Sequence, residues 1–283
     1  MNPTCLDYCL TEAEHQQFEK DGYFILEDVL SSDQIQRLSE AADRVDAEER
    51  AKRGLEPHAR LSVRDFIARD VAFMELVDWH KTFPKVWSIL GWNIQIYHSH
   101  LTMTPPQPTT NGRDLKLSWH QDSGRLNAEM ETNPRPRVSL KVAYFLTSTS
   151  EPGRGNFYII PGSQLRNQID FPNGDRKSEV KESVPVLAPK GSAVFFDRRL
   201  WHSASANYWT QPRKVLFYGY SYRWLRPRDE VSPGKFWNDF DPIRRQLFGY
   251  SAQGGYGYTS PKDEDVPLRT WIAEHLGEDA LIP

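Results

Sequence analysis

The 283-residue chain is poor in cysteine, in charge of one sign and in long apolar runs, and each shortage removes a class of protein. Only Cys5 and Cys9 are present. Two thiols so placed give no disulfide framework and, without histidines beside them, a poor zinc site, so the expectation is a pair of reduced bystanders in a frayed end. Basic and acidic side chains nearly cancel, 35 against 38, for a formal net charge of −3. Bulk electrostatics therefore offers no case for nucleic acid or a membrane surface, yet leaves room for a local basic pocket that takes a small acid. No apolar run approaches a bilayer span, and no basic segment followed by an apolar stretch opens the chain, so the expected location is cytoplasmic. Internal repeats and low-complexity linkers are absent too, and one domain over 1–283 is the simplest organisation.

What is present suits a globular protein with a real core: 39% hydrophobic residues, 26% charged, and 12% aromatic including nine Trp. Residues 11–20 read as a helix with Thr11 as N-cap and Glu14 completing a capping box. "GYFILEDVL" reads as a short buried strand. "SSDQIQRLSEAADRVDAEERAKRG" reads as a long amphipathic helix capped by Ser31 or Ser32 and ended by Gly54. More helix is expected over 64–90, with Leu76, Trp79 and Phe83 on one face, and with Pro84 opening a segment that stops at Gly91. Beyond residue 91 come "NIQIYHSHLTM", "RVSLKVAYFL", "GNFYIIPGS", "SVPVLAP", "SAVFFD" and "RKVLFYGYSYRW". These are short runs rich in β-branched and aromatic residues, separated by Gly, Pro or Asn. The pattern predicts an α+β, mainly β architecture: a helical part over about 1–90, an antiparallel sandwich or barrel over about 91–225, and a C-terminal lid or tail over about 226–283. Segments 104–117, 165–182 and about 229–262 read as loops long enough to be lids or binding loops, or simply mobile.

The chemistry turns on "SWHQDSGR". His120 and Asp122 stand two apart, so on an extended segment both side chains point the same way and can reach one ion. Two histidines and one carboxylate on one face of an octahedron, leaving three open positions, characterise non-haem Fe(II) oxygenases. A lone H-x-D is weak evidence, and a third ligand is needed. "FFDRRLWHSASAN" offers His202 after an apolar strand and a tight turn, and eleven residues on, Arg213 opens the last strand. An arginine there could grip a carboxylate bidentately, as the far end of 2-oxoglutarate requires. His15, His58, His80 and His275 lie in helical or polar surroundings and read as surface or helix-end residues.

With these residues in order, the chain resembles the phytanoyl-CoA dioxygenase family of Fe(II)/2-oxoglutarate-dependent oxygenases. "FEKDGYFILEDVLSSDQIQRL" is similar to the family's opening, "AYFLTSTSEPGRGNFYIIPGSQ" to its central strand, turn and Pro-Gly-Ser segment, and "GSAVFFDRRLWHSASAN" to its second-histidine region. The likeness covers roughly residues 11–225. It implies a double-stranded β-helix (a jelly-roll, cupin-like barrel) with N-terminal and flanking helices. It implies His120, Asp122 and His202 as iron ligands, Arg213 on the 2-oxoglutarate carboxylate, and Thr102 touching the cosubstrate. In two places the chain departs from the family: Gln164 follows Pro-Gly-Ser where a histidine is usual, and Ala204 stands where some relatives carry a hydroxyl.

His98, His100 and Thr102 alternate and share a face, which points either into the barrel, with the two histidines on substrate, or out to solvent. Arg125 either clamps an acidic group or is an exposed loop arginine. Trp119 and Leu117 either wall the pocket or belong to the core. Asn127, Lys141, Tyr218 and Tyr220 complete the candidate substrate contacts. Related halogenases replace the carboxylate ligand with a small residue, so Asp122 argues for hydroxylase-type chemistry. The implied reaction uses O₂, Fe(II) and 2-oxoglutarate to oxidise an unactivated C–H bond of a small metabolite or natural-product intermediate, releasing succinate and CO₂. The competing expectation is a jelly-roll protein that binds a metal or a sugar without catalysis, which would not need Arg213 in register.

Overall fold

The computed structural model describes residues 1–108, 114–130 and 132–281. Part of the 104–117 loop named above therefore lies outside the described residues. Helix α1 (Glu12–Asp21) starts at the Thr11–Glu14 capping box and ends at Gly22, whose φ of 80° suits a residue without Cβ. Helix α2 (Ser32–Arg53) takes Ser31 as its cap, with Gln34 answering it, and Gly54 ends it. Ile35, Leu38, Ala41, Ala42 and Val45 form its buried stripe. Short α3 (Val71–Met74) and α4 (Phe83–Leu90) follow, the latter with Pro84 in its first turn and Gly91 as its stop.

Nine strands make two sheets among the described residues. They are β1 (Tyr23–Leu26), β2 (Leu61–Arg64), β3 (Ile94–Thr104), β4 (Ser139–Phe145), β5 (Phe157–Ile159), β6 (Val184–Val186), β7 (Ala193–Asp197), β8 (His202–Ala204) and β9 (Arg213–Tyr222). The larger sheet runs β1-β7-β4-β9-β3-β2 and the smaller β6-β5-β8, every pairing antiparallel. Two packed antiparallel sheets with helices outside are the jelly-roll barrel that was expected. One boundary is corrected. β1, expected within "GYFILEDVL", and β2, which was not expected, form the two edges of the larger sheet, so the helical part over about 1–90 also supplies both edge strands. The hydrophobic period missed β2 because it is only four residues long and only Leu61 and Val63 are buried.

The larger sheet separates two apolar layers. Leu140, Val142, Tyr144, Leu216, Tyr218 and Tyr220 face outward and pack under the helices with Phe66, Phe73, Leu76 and Phe83. Burying such a side chain contributes roughly 1.5–3 kcal/mol. The alternate residues Ala143, Phe145, Val194, Phe196, Val215 and Phe217 face inward and meet Phe157 and Ile159 of the smaller sheet. Leu117 and Trp119 are core residues, packed with Tyr158, Ile160 and Trp201 on the outer side of the smaller sheet. The 165–182 segment covers that side with Ile169, Phe171 and Val180.

Further corrections concern the chain ends. Cys5 is fully buried in a 3-10 turn over Pro3–Tyr8 rather than lying in a frayed end, and burial, with Cys9 nearby, pushes its thiol up to about 11. Both cysteines are free. After α5 (Gly124–Glu129), the C-terminal part adds α6 (Pro242–Leu247) and α7 (Pro267–Leu276), whose Ile243, Leu247, Leu268 and Ile272 join the outer core. Segment 229–262 is therefore not one open loop. No helix among the described residues is long and apolar enough to cross a membrane.

Candidate metal centre

The two halves of the centre are held together by backbone. His120 and His202 form an antiparallel bridge, with N–H to O=C distances of 3.0 and 2.9 Å. Asp122 N–H donates to the Arg198 carbonyl at 2.9 Å. The turn before β8 and the segment before α5 are thereby clamped face to face. Ligand atoms of His120, Asp122 and His202 lie within 4.8 Å of one another.

The histidine tautomers suit a metal. His120 Nδ1 lies 2.9 Å from the Ser118 carbonyl, and His202 Nδ1 lies 2.8 Å from the Leu200 carbonyl. A carbonyl only accepts, so each Nδ1 carries a proton, which leaves Nε2 as the ring nitrogen that can serve a metal. Burial, aided by the neighbouring His120, pushes His202 down to about 3, so its imidazole is neutral. Burial pushes Asp122 up, but Lys141, His202 and His120 outweigh it and hold the carboxyl well below the usual range. Two imidazoles that can offer Nε2 and an ionised carboxylate on one side of an open cavity fit a divalent transition metal. Lys141, buried on β4, meets the Asp122 carboxylate at 2.8 Å.

The cavity in front of these residues measures about 330 Å³. Arg213 lines it, fully buried at the start of β9. Its Nη1 donates to the Gly155 carbonyl at 2.6 Å, its Nε has no partner, and no carboxylate pairs with it among the described residues. Burial, with Arg60 nearby, pushes it down to about 9. A buried, uncompensated guanidinium is costly, and an incoming carboxylate relieves it. These residues fit a dicarboxylate bound by one end at the metal and by the other at Arg213.

Other expected site residues divide. His98 and His100 do line the cavity, so their face is inward. A β-bulge decides this: Ile96 pairs with Tyr220, but His98 pairs with Gly219, so one extra residue switches the parity of β3. Thr102 shares that face but is fully buried, with Oγ1 3.4 Å from the Val215 carbonyl, and is not among the residues that line the cavity. Tyr218 and Tyr220 point the opposite way, donating to the Phe73 and Val77 carbonyls at 2.7 Å each. Neither touches the cavity, because even-numbered residues of β9 face the helices. Arg125 is 86% exposed and pairs with Glu129 one helical turn on, so it is a surface arginine of α5. Asn127 is buried, but it donates to the Asp122 carbonyl oxygen at 2.8 Å and accepts from Arg198. It positions the Asp122 backbone and does not face the cavity. Gln164 donates to the Glu19 carbonyl at 2.9 Å and ties the end of α1 to the Pro-Gly-Ser turn, a structural duty away from the metal. Sequence reasoning missed Arg60, Arg64 and Arg228 as cavity residues. Alternation in "RLSVR" was the one signal that could have placed the first two on one face.

The fold and this site together define a jelly-roll scaffold of the kind used by non-haem iron, 2-oxoglutarate-dependent oxygenases. The profile of the phytanoyl-CoA dioxygenase family matches residues 18–215, and the chain belongs to that family. Among curated proteins, it is 23% identical over 241 residues to the ectoine dioxygenase of Sphingopyxis alaskensis, covering 72% of this chain and 73% of that one. It is 24% identical over 229 residues to the ectoine dioxygenase of Nocardia farcinica, covering 71% and 74%. Among solved structures, EctD from S. alaskensis in its apo form superposes with a TM-score of 0.59 at 20% identity, covering 79% of this chain and 81% of that one. HygX from Streptomyces hygroscopicus with nickel and 2-oxoglutarate bound gives 0.59 at 14% identity, covering 77% and 90%.

Proposed function

We propose that this protein is an Fe(II)- and 2-oxoglutarate-dependent dioxygenase that hydroxylates an unactivated C–H bond of a small molecule. One observation carries the reading: three metal-ligand side chains and an uncompensated buried arginine share one cavity. His120, Asp122 and His202 would hold the iron and Arg213 the far carboxylate of 2-oxoglutarate. When bound, iron with 2-oxoglutarate and O₂ supplies an oxidant strong enough to take hydrogen from carbon, with succinate and CO₂ as coproducts. The protein's own residues do the rest. The backbone bridge fixes the angle between the two imidazoles. Lys141 keeps Asp122 ionised and oriented. Phe157, Phe196 and Phe217 form an apolar floor that limits water around the reacting centre. Asp122 occupies the position where a small residue would leave room for halide, which favours hydroxylation over halogenation.

The test is anaerobic. Fe(II) and 2-oxoglutarate added to the metal-free protein are expected to give a weak visible charge-transfer band that fades in Arg213→Ala and His202→Ala. Absence of the band at saturating cosubstrate would return the protein to the non-catalytic binding class.

A further inference from the structure

The cavity wall carries far more positive charge than one cosubstrate needs. Arg60, Arg64, Lys116, Lys141, Arg213 and Arg228 line it, and among the described lining residues Asp122 is the sole carboxylate. A divalent metal and a dianionic cosubstrate cancel one another, so the excess persists in the loaded site. Strand register places the excess. Thr104 pairs with Arg213, and Arg60 lies just before the Leu61–Met103 pair, so these two arginines sit at the cosubstrate end. Arg64 pairs with His100, four residues further along β3, or roughly 13 Å at the usual strand rise. Arg228 is at that same end of β3, its backbone N–H donating to the Tyr97 carbonyl at 2.7 Å and its Nη1 3.8 Å from Asp122. Arg64 has no carboxylate partner among the described residues. Arg228 shares Asp122 with Lys141, which already holds it at 2.8 Å.

Beside these donors stands one fixed acceptor. Asp229 Oδ1 lies 2.6 Å from His98 Nδ1, and His98 Nε2 lies 2.9 Å from His100 Nδ1. His98 and the Asp229 side chain are buried, and His100 stacks on Phe217 with ring centroids 4.2 Å apart. A carboxylate accepts, so His98 carries its proton on Nδ1. Its Nε2 then accepts from His100 Nδ1–H, and His100 Nε2 keeps a bare lone pair. Burial lowers both imidazoles, against the pull of Asp229 on His98 and with Lys141 adding to the effect on His100, which keeps the chain neutral. His100 lines the cavity, and its Nε2 has no partner among the described residues.

We infer that the substrate is a small acid whose carboxylate, phosphate or sulfate group sits between Arg64 and Arg228, and whose hydroxyl or N–H donates to His100 Nε2. This rests on the proposed oxygenase site and names the substrate class that site accepts. An arginine pair selects an oxyanion, and an aspartate-fixed imidazole acceptor selects a donor, because an analogue lacking that donor leaves a desolvated acceptor unpaired.

The experiment uses the full chain loaded with Zn(II) and saturated with 2-oxoglutarate. Sulfate (for phosphate and sulfate groups) and acetate (for carboxylates) are titrated by calorimetry into the wild type, Arg64→Gln and Arg228→Gln. Millimolar binding of one of them, weakened tenfold or more in both variants, is the expected result, and the better probe identifies the oxyanion. No binding by either probe, or binding unchanged in the variants, overturns the inference. In parallel, ¹⁵N imidazole spectra, assigned with His100→Gln, are expected to show His100 protonated on Nδ1 and bare on Nε2. A proton on Nε2 overturns it equally. 2-Oxoglutarate titrated separately into Zn(II)-loaded wild type and Arg213→Met reports on the cosubstrate site by itself, so failure of the oxygenase reading is seen apart from failure of this one.

Discussion

The two faces of β9 carry opposite kinds of polar group. On the outer face, Tyr218 and Tyr220 each end on a backbone carbonyl, and Tyr144 of β4 meets Thr82 Oγ1 at 2.6 Å. Every one of these hydroxyls is satisfied by the protein itself. On the inner face, among the described residues, Arg213 has no partner for Nε and no counter-charge for its guanidinium, and His100 Nε2 has no partner. Neighbouring residues of one strand thus follow different rules. The outer face pairs its polar groups as folded, whereas the inner face leaves part of its own unpaired among the described residues. Buried polar groups are normally paired, and the exceptions mark function.

Substitutions on the two faces should therefore differ in sign as well as size. The largest effect is expected at the metal. His202→Ala would remove one of the three proposed ligands, and metal affinity measured by competition with a chelator should fall by more than the 10- to 100-fold typical of outer contacts, while a melting curve of the metal-free protein shifts little.

Arg213→Met separates function from stability. The affinity for 2-oxoglutarate should drop by about 2–5 kcal/mol, the usual cost of removing one partner from a buried charge pair. The ligand-free protein should become more stable by about 1–4 kcal/mol, because an unpaired buried charge is replaced by a side chain of similar length. Urea melts without cosubstrate, set beside calorimetric titrations, read both numbers. A destabilised Arg213→Met would mean that the inner face is as self-contained as the outer.

Gly219→Ala tests the bulge that turns His98 and His100 inward. A Cβ at 219 would lie 2.7 Å from Tyr97 Cε1 and 3.1 Å from the His98 carbonyl oxygen. Overpacking of this kind costs about 1–3 kcal/mol, and it should disturb the imidazole signals of His98 and His100 while leaving those of His120 and His202 in place.

Tyr218→Phe probes the outer face. It removes one of two donors from the Phe73 carbonyl, which keeps the Leu76 N–H at 3.2 Å, so stability should fall by about 0.5–1.5 kcal/mol, the net worth of one hydrogen bond, with no change in metal or cosubstrate affinity. Smallest of all is Arg125→Ala. It deletes an exposed i,i+4 pair worth about 0.3–0.5 kcal/mol, and activity should be unaffected.

The sequence by itself determined whatever depends on near neighbours along the chain. Thr11 and Ser31 start helices where their capping partners stand three residues later, Gly22 and Gly54 end them, and short runs rich in β-branched and aromatic residues mark β3, β4, β7 and β9. The spacing of His120 and Asp122 marked a metal pair, and the order H-x-D, histidine, arginine carried the family. Tertiary structure decided what depends on parity and on contacts between distant segments. Alternation showed that His98 and His100 share a face. Only the bulge at Tyr97, opposite a glycine on β9, could say which face. The same parity sends Tyr218 to the helices and Arg213 to the cavity. Arg60, Arg64 and Arg228 reach the cavity because β2 pairs with β3 at the sheet edge and because the chain after β9 returns beside Asp122. A period-two pattern fixes which residues lie together but carries no sign, and the sign comes from packing one sheet against another.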